Sequence, residues 1–299
     1  MRCSQCKAES AYKVPGKKLL LCSSHYVKWF ENGVKATIKQ HKLIKKGESV
    51  AVACSGGKDS TALLFILKKL GYKVEAVAVD EGIAGYREFT LKRLKKLCSK
   101  WDVRLKIYSF NKEYKLKIDE FGREKHICTI CGVLRRQLLN KAAQGFDKIA
   151  TGHNLDDEAQ SILMNMCQAN ITALSRLGPI TGVVEDAGFV PRVKPLYYCE
   201  EKQSAIYVML QGFDVPRVEC PYAVSSFRNA ARAALNNYSQ SNPKAKQQFV
   251  ENFLKRVELL RKSDVSAEKI PRCKECGEPS SRALCHACYI KRYLYNPKE

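Results

Sequence analysis

The run Ser49-Val50-Ala51-Val52-Ala53-Cys54 passes directly into Ser55-Gly56-Gly57-Lys58-Asp59-Ser60 and then into Thr61–Leu70, which leaves the chain little choice of fold. A short apolar stretch rich in β-branched residues predicts a buried strand. The apolar repeat of TALLFILKKL, stopped by Gly71, predicts a helix. The turn between them suits a phosphate. Two glycines let the backbone approach closely, and the helix N-terminus offers unpaired N–H donors. Lys58 can add charge, and Ser55 and Ser60 can add hydroxyl donors. A Walker A loop would need glycine five residues before Gly57, where Val52 stands. The bland alternative is a glycine-rich turn without a ligand.

The alternation continues. Lys73–Val79 reads as a second strand, Tyr86–Trp101 as a basic helix and Arg104–Phe110 as a third strand. Cys131–Gln144, ended by Gly145, reads as a helix and Lys148–Thr151 as a fourth strand. The next helix places Ala159, Ile162, Leu163 and Met166 on one face, the spacing of a buried stripe. Strands alternating with helices predict an α/β fold, a doubly wound parallel sheet covered on both faces, with ligands at the carboxyl ends of its strands. The second strand ends at Val79-Asp80-Glu81-Gly82, and the fourth at Thr151-Gly152-His153-Asn154-Leu155-Asp156-Asp157-Glu158. The adjacent carboxylates Asp156 and Asp157 at a helix start could hold Mg2+, a hard cation suited to oxygen ligands. They could equally be caps and first-turn acids.

With no run of 18 apolar residues and no apolar core after Met1-Arg2-Cys3-Ser4, a soluble cytoplasmic protein with no membrane contact is expected. Disulfides rarely persist in that compartment, so 14 cysteines point to metal or catalytic chemistry. Cys3-x-x-Cys6 is followed by Cys22-x-x-His25, and Cys273-x-x-Cys276 by Cys285-x-x-Cys288. Each set supplies four ligands in two pairs, as tetrahedral structural zinc requires; two Zn2+ are expected, with no open position for catalysis. Free cysteines brought together by coincidence are the alternative. A third set is incomplete: Cys128-x-x-Cys131 just before a helix, and Cys220 far downstream. Three thiolates can hold a [4Fe-4S] cluster with one iron open. They could also hold zinc with a water, form a catalytic disulfide, or be a buried pair with an unrelated Cys220. Spacing does not choose. Arg135 and Arg136 follow, set to grip ATP, RNA phosphate or solvent.

Lys and Arg outnumber Asp and Glu by 52 to 30, a formal charge of +22. That field attracts a polyanion, and nucleic acid is the natural partner. Basic stretches lie at Lys92–Lys100, Arg228–Arg232 and Lys291–Arg292. A solubilising surface or a hot or salty habitat would give the same balance. The motifs divide the chain into residues 1–28 (zinc finger), 29–47 (linker helix), 48–225 (catalytic domain), 226–269 (helical segment) and 270–299 (zinc finger).

The loop SGGKDS resembles the pyrophosphate-binding loop of the ATP-pyrophosphatase (PP-loop) superfamily, whose members split ATP between its α- and β-phosphates and adenylate a substrate oxygen. Terminal cysteine pairs, SGGKDS, CTICGVLRRQ, TGHNLDDEA and Glu219-Cys220-Pro221, in this order, resemble the tRNA 2-thiouridine synthetases of the TtuA/NcsA family over nearly the whole chain. Arg135-Arg136-Gln137, Leu174-Ser175-Arg176 and Phe227-Arg228-Asn229-Ala230-Ala231-Arg232 look more like its wobble-uridine branch than its T-loop branch. The resemblance implies ATP-dependent sulfur transfer to a tRNA uridine. It implies an ATP and Mg2+ site at Ala53, Ser55, Gly56, Gly57, Lys58, Asp59, Ser60, Asp80, Arg135, Gly152 and Asp157. Asp59 and Asp157 share catalysis with the cluster ligands Cys128, Cys131 and Cys220, and the terminal quartets hold zinc. A homodimer is expected, with a ubiquitin-fold carrier or free sulfide as the sulfur source. Cys54, Cys98, Cys167 and Cys199 receive no role. Two other readings stay open: thiolation through a cysteine persulfide without a cluster, and a non-catalytic RNA-binding zinc protein.

Overall fold

The computed structural model describes residues 1–14, 18–122, 126–181, 189–216, 218–223, 227–263, 271–280 and 282–294. A short hairpin, β1 (Tyr12–Lys13) and β2 (Leu20–Leu21), leads into α1 (Ser23–Gln40). Then follow β3 (Ser49–Ala53), α2 (Lys58–Lys69), β4 (Lys73–Asp80), α3 (Arg87–Lys100), β5 (Leu105–Ser109) and α4 (Phe110–Tyr114). The second half holds α5 (Ile127–Ala142), β6 (Lys148–Thr151), α6 (Leu155–Cys167), α7 (Ile171–Ser175), β7 (Ile180–Thr181) and β8 (Arg192–Val193). Helices α8 (Glu201–Leu210), α9 (Phe227–Ser241), α10 (Ala245–Leu254), α11 (Val257–Ser263) and α12 (His286–Tyr289) complete it.

The main sheet runs β5-β4-β3-β6-β8-β7. The pairs β4–β5, β3–β4, β3–β6 and β6–β8 are parallel, and β7 closes one edge antiparallel to β8. From β3 the chain winds outward through β4 and β5, then returns to lay β6 on the other side of β3. The reversal places a ligand crevice at the carboxyl ends of β3 and β6. Both faces are covered, which is why the strands read as unbroken apolar runs. Val50, Val52, Ala76, Ala78 and Ala150 pack toward the α1 and α2 layer with Phe30, Leu63 and Leu67. Ala51, Val77 and Ile149 face the end of α5 at Ala142 and Ala143. The predicted α/β sheet and its four strands are present.

Several predicted boundaries move. Helix α2 starts at Lys58, capped by Gly57, so the loop's last three residues already belong to its first turn. Helix α5 starts at Ile127, so Cys128 and Cys131 lie within its first turns rather than before them. On α6 the buried stripe is Leu155, Ala159 and Ile162, while Met166 is 51% exposed. Met166 is on the expected face, but in the last turn, past the elements that cover it. Among the described residues, no helix is long and apolar enough to cross a membrane.

Candidate ATP and cysteine site

The loop after β3 is built around contacts only glycine permits. Gly56 has φ +81°, and a Cβ there would stand 2.7 Å from the Thr90 carbonyl oxygen. At the end of β6, a Cβ on Gly152 would lie 2.8 Å from the Ser60 backbone nitrogen. That close approach locks β6 against the loop. Ser55 Oγ accepts from Gly57 N–H at 3.3 Å and lies 3.3 Å from Ser60 Oγ, which donates to the Gly57 carbonyl at 3.1 Å. The Lys58 ammonium is shared by Asp59 at 3.1 Å and Glu201 at 2.8 Å. Asp80 Oδ1 accepts from Gly82 N–H and shapes the turn after β4.

Asn154 joins the loop to α6. Its amide donates to Asp59 at 3.3 Å, and its carbonyl oxygen caps the helix by accepting from Asp157 N–H at 3.0 Å. Asp157 Oδ2 accepts in turn from Asn154 N–H. Burial pushes the Asp157 carboxyl up to about 6, with the charge of Asp59 adding to the rise. Two carboxylates joined through Asn154 beside a phosphate loop are an oxygen donor set that fits Mg2+. Asp156 does not join them. It is buried, accepts from Glu201 N–H at 2.7 Å and pairs with Lys246 at 2.5 Å, pinning α8 and α10 to α6. Asp156 thus has protein partners on both oxygens, while Asp157 and Asp59 face the loop through Asn154. The basic stretch at Arg228 leans over the same crevice, 3.9 Å from Asp157, and Arg232 reaches Glu201 at 4.0 Å. Desolvation in the crevice, with the charges of Lys194, Arg192, Arg228 and Arg135, lowers the basicity of His153.

Cys128 and Cys131 lie one turn apart on α5. The Cys128 thiol donates to the Tyr222 carbonyl at 3.3 Å, which draws the Cys220 segment over the helix start. Tyr222 OH donates to Asp119 at 2.7 Å and anchors that segment. Burial raises the Cys131 thiol to about 12 against the opposing pull of Arg135. A bridge connects these thiols to the phosphate loop. Buried Glu81 receives Arg87 Nε at 2.6 Å and Arg135 at 3.3 Å. Arg87 also donates to the carbonyls of Ser55, at 2.7 Å, and Val79. Arg87 and Glu201 were not singled out by sequence reasoning. Arg87 sits in a helix that reads as a solvated basic face, and only its place just after the β4 turn sets it apart.

Both terminal quartets assemble. In each, Cys3, Cys6, Cys22 and His25 or Cys273, Cys276, Cys285 and Cys288, the candidate ligand atoms lie within 4.8 Å of one another. Among the described residues, the trio Cys128, Cys131 and Cys220 does not reach that closeness. Ligands of one tetrahedral Zn2+, at ~2.3 Å from the metal, must stand nearer than that. Cysteines that bind different irons of one cluster stand farther apart, and three thiols are a donor set that fits a [4Fe-4S] group with one iron open.

A strand–glycine loop–helix at the switch point of a parallel sheet defines an ATP-binding α/β protein, and the model of the PP-loop domain matches residues 28–238. A tRNA-5-methyluridine(54) 2-sulfurtransferase of Pyrococcus horikoshii is 36% identical over 290 residues, covering 96% of this chain and 93% of the relative. The cytoplasmic tRNA 2-thiolation protein 1 of Danio rerio is 35% identical, covering 97% and 87%. The solved U34-tRNA thiolase NcsA of Methanococcus maripaludis, with its [4Fe-4S] cluster, superposes with a TM-score of 0.84 at 28% identity, over 98% of this chain and 96% of that one. The chain belongs to the PP-loop family and, within it, to the TtuA/NcsA family of tRNA 2-thiolation enzymes.

Proposed function

We propose that this protein is an ATP-dependent tRNA-uridine 2-sulfurtransferase. One observation carries the reading. The phosphate loop and three unpaired thiols share one end of the sheet, and Glu81 couples them through Arg87 to Ser55 and through Arg135 to the helix of Cys131. An enzyme that only split ATP would have no use for the thiols. A redox protein would have none for the loop.

The residues divide the work. Loop N–H groups, Ser55, Ser60 and Lys58 cradle the phosphates, with Ala53 and Asp80 bordering the nucleoside, while Gly152 sets the loop's position. Asp59 and Asp157 hold Mg2+ against the phosphates. The C2 oxygen of the uridine attacks the α-phosphorus, pyrophosphate leaves, and the resulting adenylate makes C2 electrophilic. Sulfur then replaces AMP at C2. Arg135 lies between Glu81 and Cys131, where it can neutralise charge on either reactant. Cys128, Cys131 and Cys220 would hold the cluster, which supplies an iron site for the sulfur nucleophile when bound. The quartets would hold two structural Zn2+. Arg135-Arg136-Gln137 favours the wobble uridine over the T-loop uridine. The name of the Danio rerio relative supports a cytoplasmic setting. A homodimer and a ubiquitin-fold carrier or free sulfide as sulfur source follow the family resemblance. Anaerobically prepared protein, given ATP, sulfide and unmodified tRNA, should yield 2-thiouridine and AMP in equal amounts. Mass mapping of the tRNA names the nucleoside; sulfur found outside the anticodon would refute the wobble assignment. Normal thiolation by an iron-free preparation would instead remove the cluster from the reaction.

A further inference from the structure

Helix α5 carries chemistry on two sides. With 3.6 residues per turn, Cys128, Cys131 and Arg135 share one side, and Val133, Arg136, Gln137 and Asn140 lie on the opposite one. The second side lines a cavity of about 320 Å³ between α5, the β8 edge and the C-terminal finger. Its walls are partly apolar, with Phe189, Pro279 and Ala287, and two guanidinium groups open into it, Arg136 and Arg192. Arg192 Nε is buried and makes no hydrogen bond. Among the described residues, neither arginine forms an ion pair. Among the described residues, the one carboxylate in the wall, Glu278, is engaged by the Asn140 amide at 3.2 Å. Two like charges facing one small cavity repel each other, and the repulsion is relieved when an anion enters. Burial together with Arg136 lowers Arg192 to about 10, in the same sense.

The finger wall is held firmly. Gln137 donates to the sulfurs of Cys276 at 3.6 Å and Cys285 at 3.7 Å, and its amide oxygen accepts from Tyr114 OH at 2.8 Å. Ala287 and Ile290 pack on Leu134 and Leu138 of α5. The metal quartet thereby fixes one side of the cavity against the helix that carries the reactive cysteines.

We infer that this cavity binds one nucleotide of the RNA substrate other than the uridine that reacts, its phosphate between Arg136 and Arg192 and its base against Phe189. The volume, at the small end of ligand pockets, admits a single splayed nucleotide and no duplex. Paired guanidinium forks suit a phosphodiester better than ammonium groups would. The inference rests on the tRNA-modifying function, and its test is separable from it.

The test is tRNA binding by the zinc- and cluster-loaded protein across a salt series, alongside thiolation kinetics, for Arg192→Ala, Arg192→Lys and Arg136→Gln. Losing one phosphate contact should flatten the dependence of log affinity on log salt by about 1. KM for tRNA should rise roughly tenfold with kcat nearly unchanged. Arg192→Lys should recover the salt slope but not the full affinity. ATP affinity should stay at the parent value, which excludes ATP as the anion held. Parent-like slope and KM in both neutral variants would overturn the pocket. If Arg192→Ala lowers the unfolding midpoint, the exposed Arg136 decides alone. A parent that binds tRNA with normal salt dependence but never thiolates it refutes the proposed activity and leaves the pocket standing.

Discussion

The terminal quartets and the central trio are built almost wholly from cysteine, yet they are opposite devices. In the quartets four side chains gather at single-ion spacing, on short loops and the helix starts that follow them, where backbone N–H groups already point at sulfur: Gln5 to Cys3 at 3.5 Å, Cys285 to Cys273 at 3.2 Å. Although burial opposes it, Cys273 is held at about 6, chiefly by such N–H groups. The trio is drawn from a helix start and a distant segment and is not gathered to that spacing, with Cys131 half-buried beside Arg135. A closed set stores folding free energy in its metal. An open set leaves a position for a reactant, and the fold must stand without its metal.

Three experiments sharpen that contrast, beginning with the largest effect. Cys131→Ser should reduce thiolation to background while the unfolding midpoint stays within about 2 °C of the parent, because the apolar packing of α5 through Ile127, Ile130, Leu134 and Leu138 does not depend on the thiol. Thermal melts with a nucleoside assay read both; a collapsed midpoint would make the trio a scaffold too. Cys276→Ser should do the reverse, costing roughly 3 kcal/mol or more as one zinc is lost, with activity falling only in proportion to the folded fraction and to weakened tRNA binding. Metal analysis and denaturant titration decide it.

The smallest effect concerns Asp157. Its carboxyl is raised to about 6 in the fold against 3.8 for the ordinary value. The folded state therefore favours the protonated form, and stability is lost as pH climbs from the unfolded value to the folded one, remaining lower above it. Asp157→Asn should be indistinguishable from the parent near pH 3.5. It should be more stable by about 1–3 kcal/mol above pH 6, while losing ATP turnover. A variant less stable at pH 7.5 would show that the pairing with Arg228 outweighs burial.

Much of this was legible in the sequence because the signals were local. Strands buried on both faces announce themselves as apolar β-branched runs, and cysteine pairs announce themselves by spacing. What stayed hidden depends on distance. Cys128-Thr129-Ile130 reads as lying just before the helix, since nothing nearby shows that Ile127 and Ile130 will be buried and extend it backward. Asp156 reads as a metal ligand or a first-turn acid, and its partner Lys246 lies ninety residues on. Arg87 could not be told from its basic neighbours, because its partners Ser55, Val79 and Glu81 come from two other strand ends. The division of the quartets from the trio was visible as a count of ligands; their difference in spacing was not.

The contact between the last finger and α5 bears on how the chain is made. A ribosome delivers the phosphate loop and all three central cysteines well before Cys273 emerges. Until the finger closes, Leu134 and Leu138 lack the cover of Ala287 and Ile290, and Gln137 lacks its sulfur partners. A product cut short near residue 270 would own every residue of the proposed reaction centre and still display an apolar stripe on the helix that bears it. Such a stripe is what chaperones and proteases bind. The carboxyl-terminal finger thus completes the cover of the helix that carries Cys128 and Cys131.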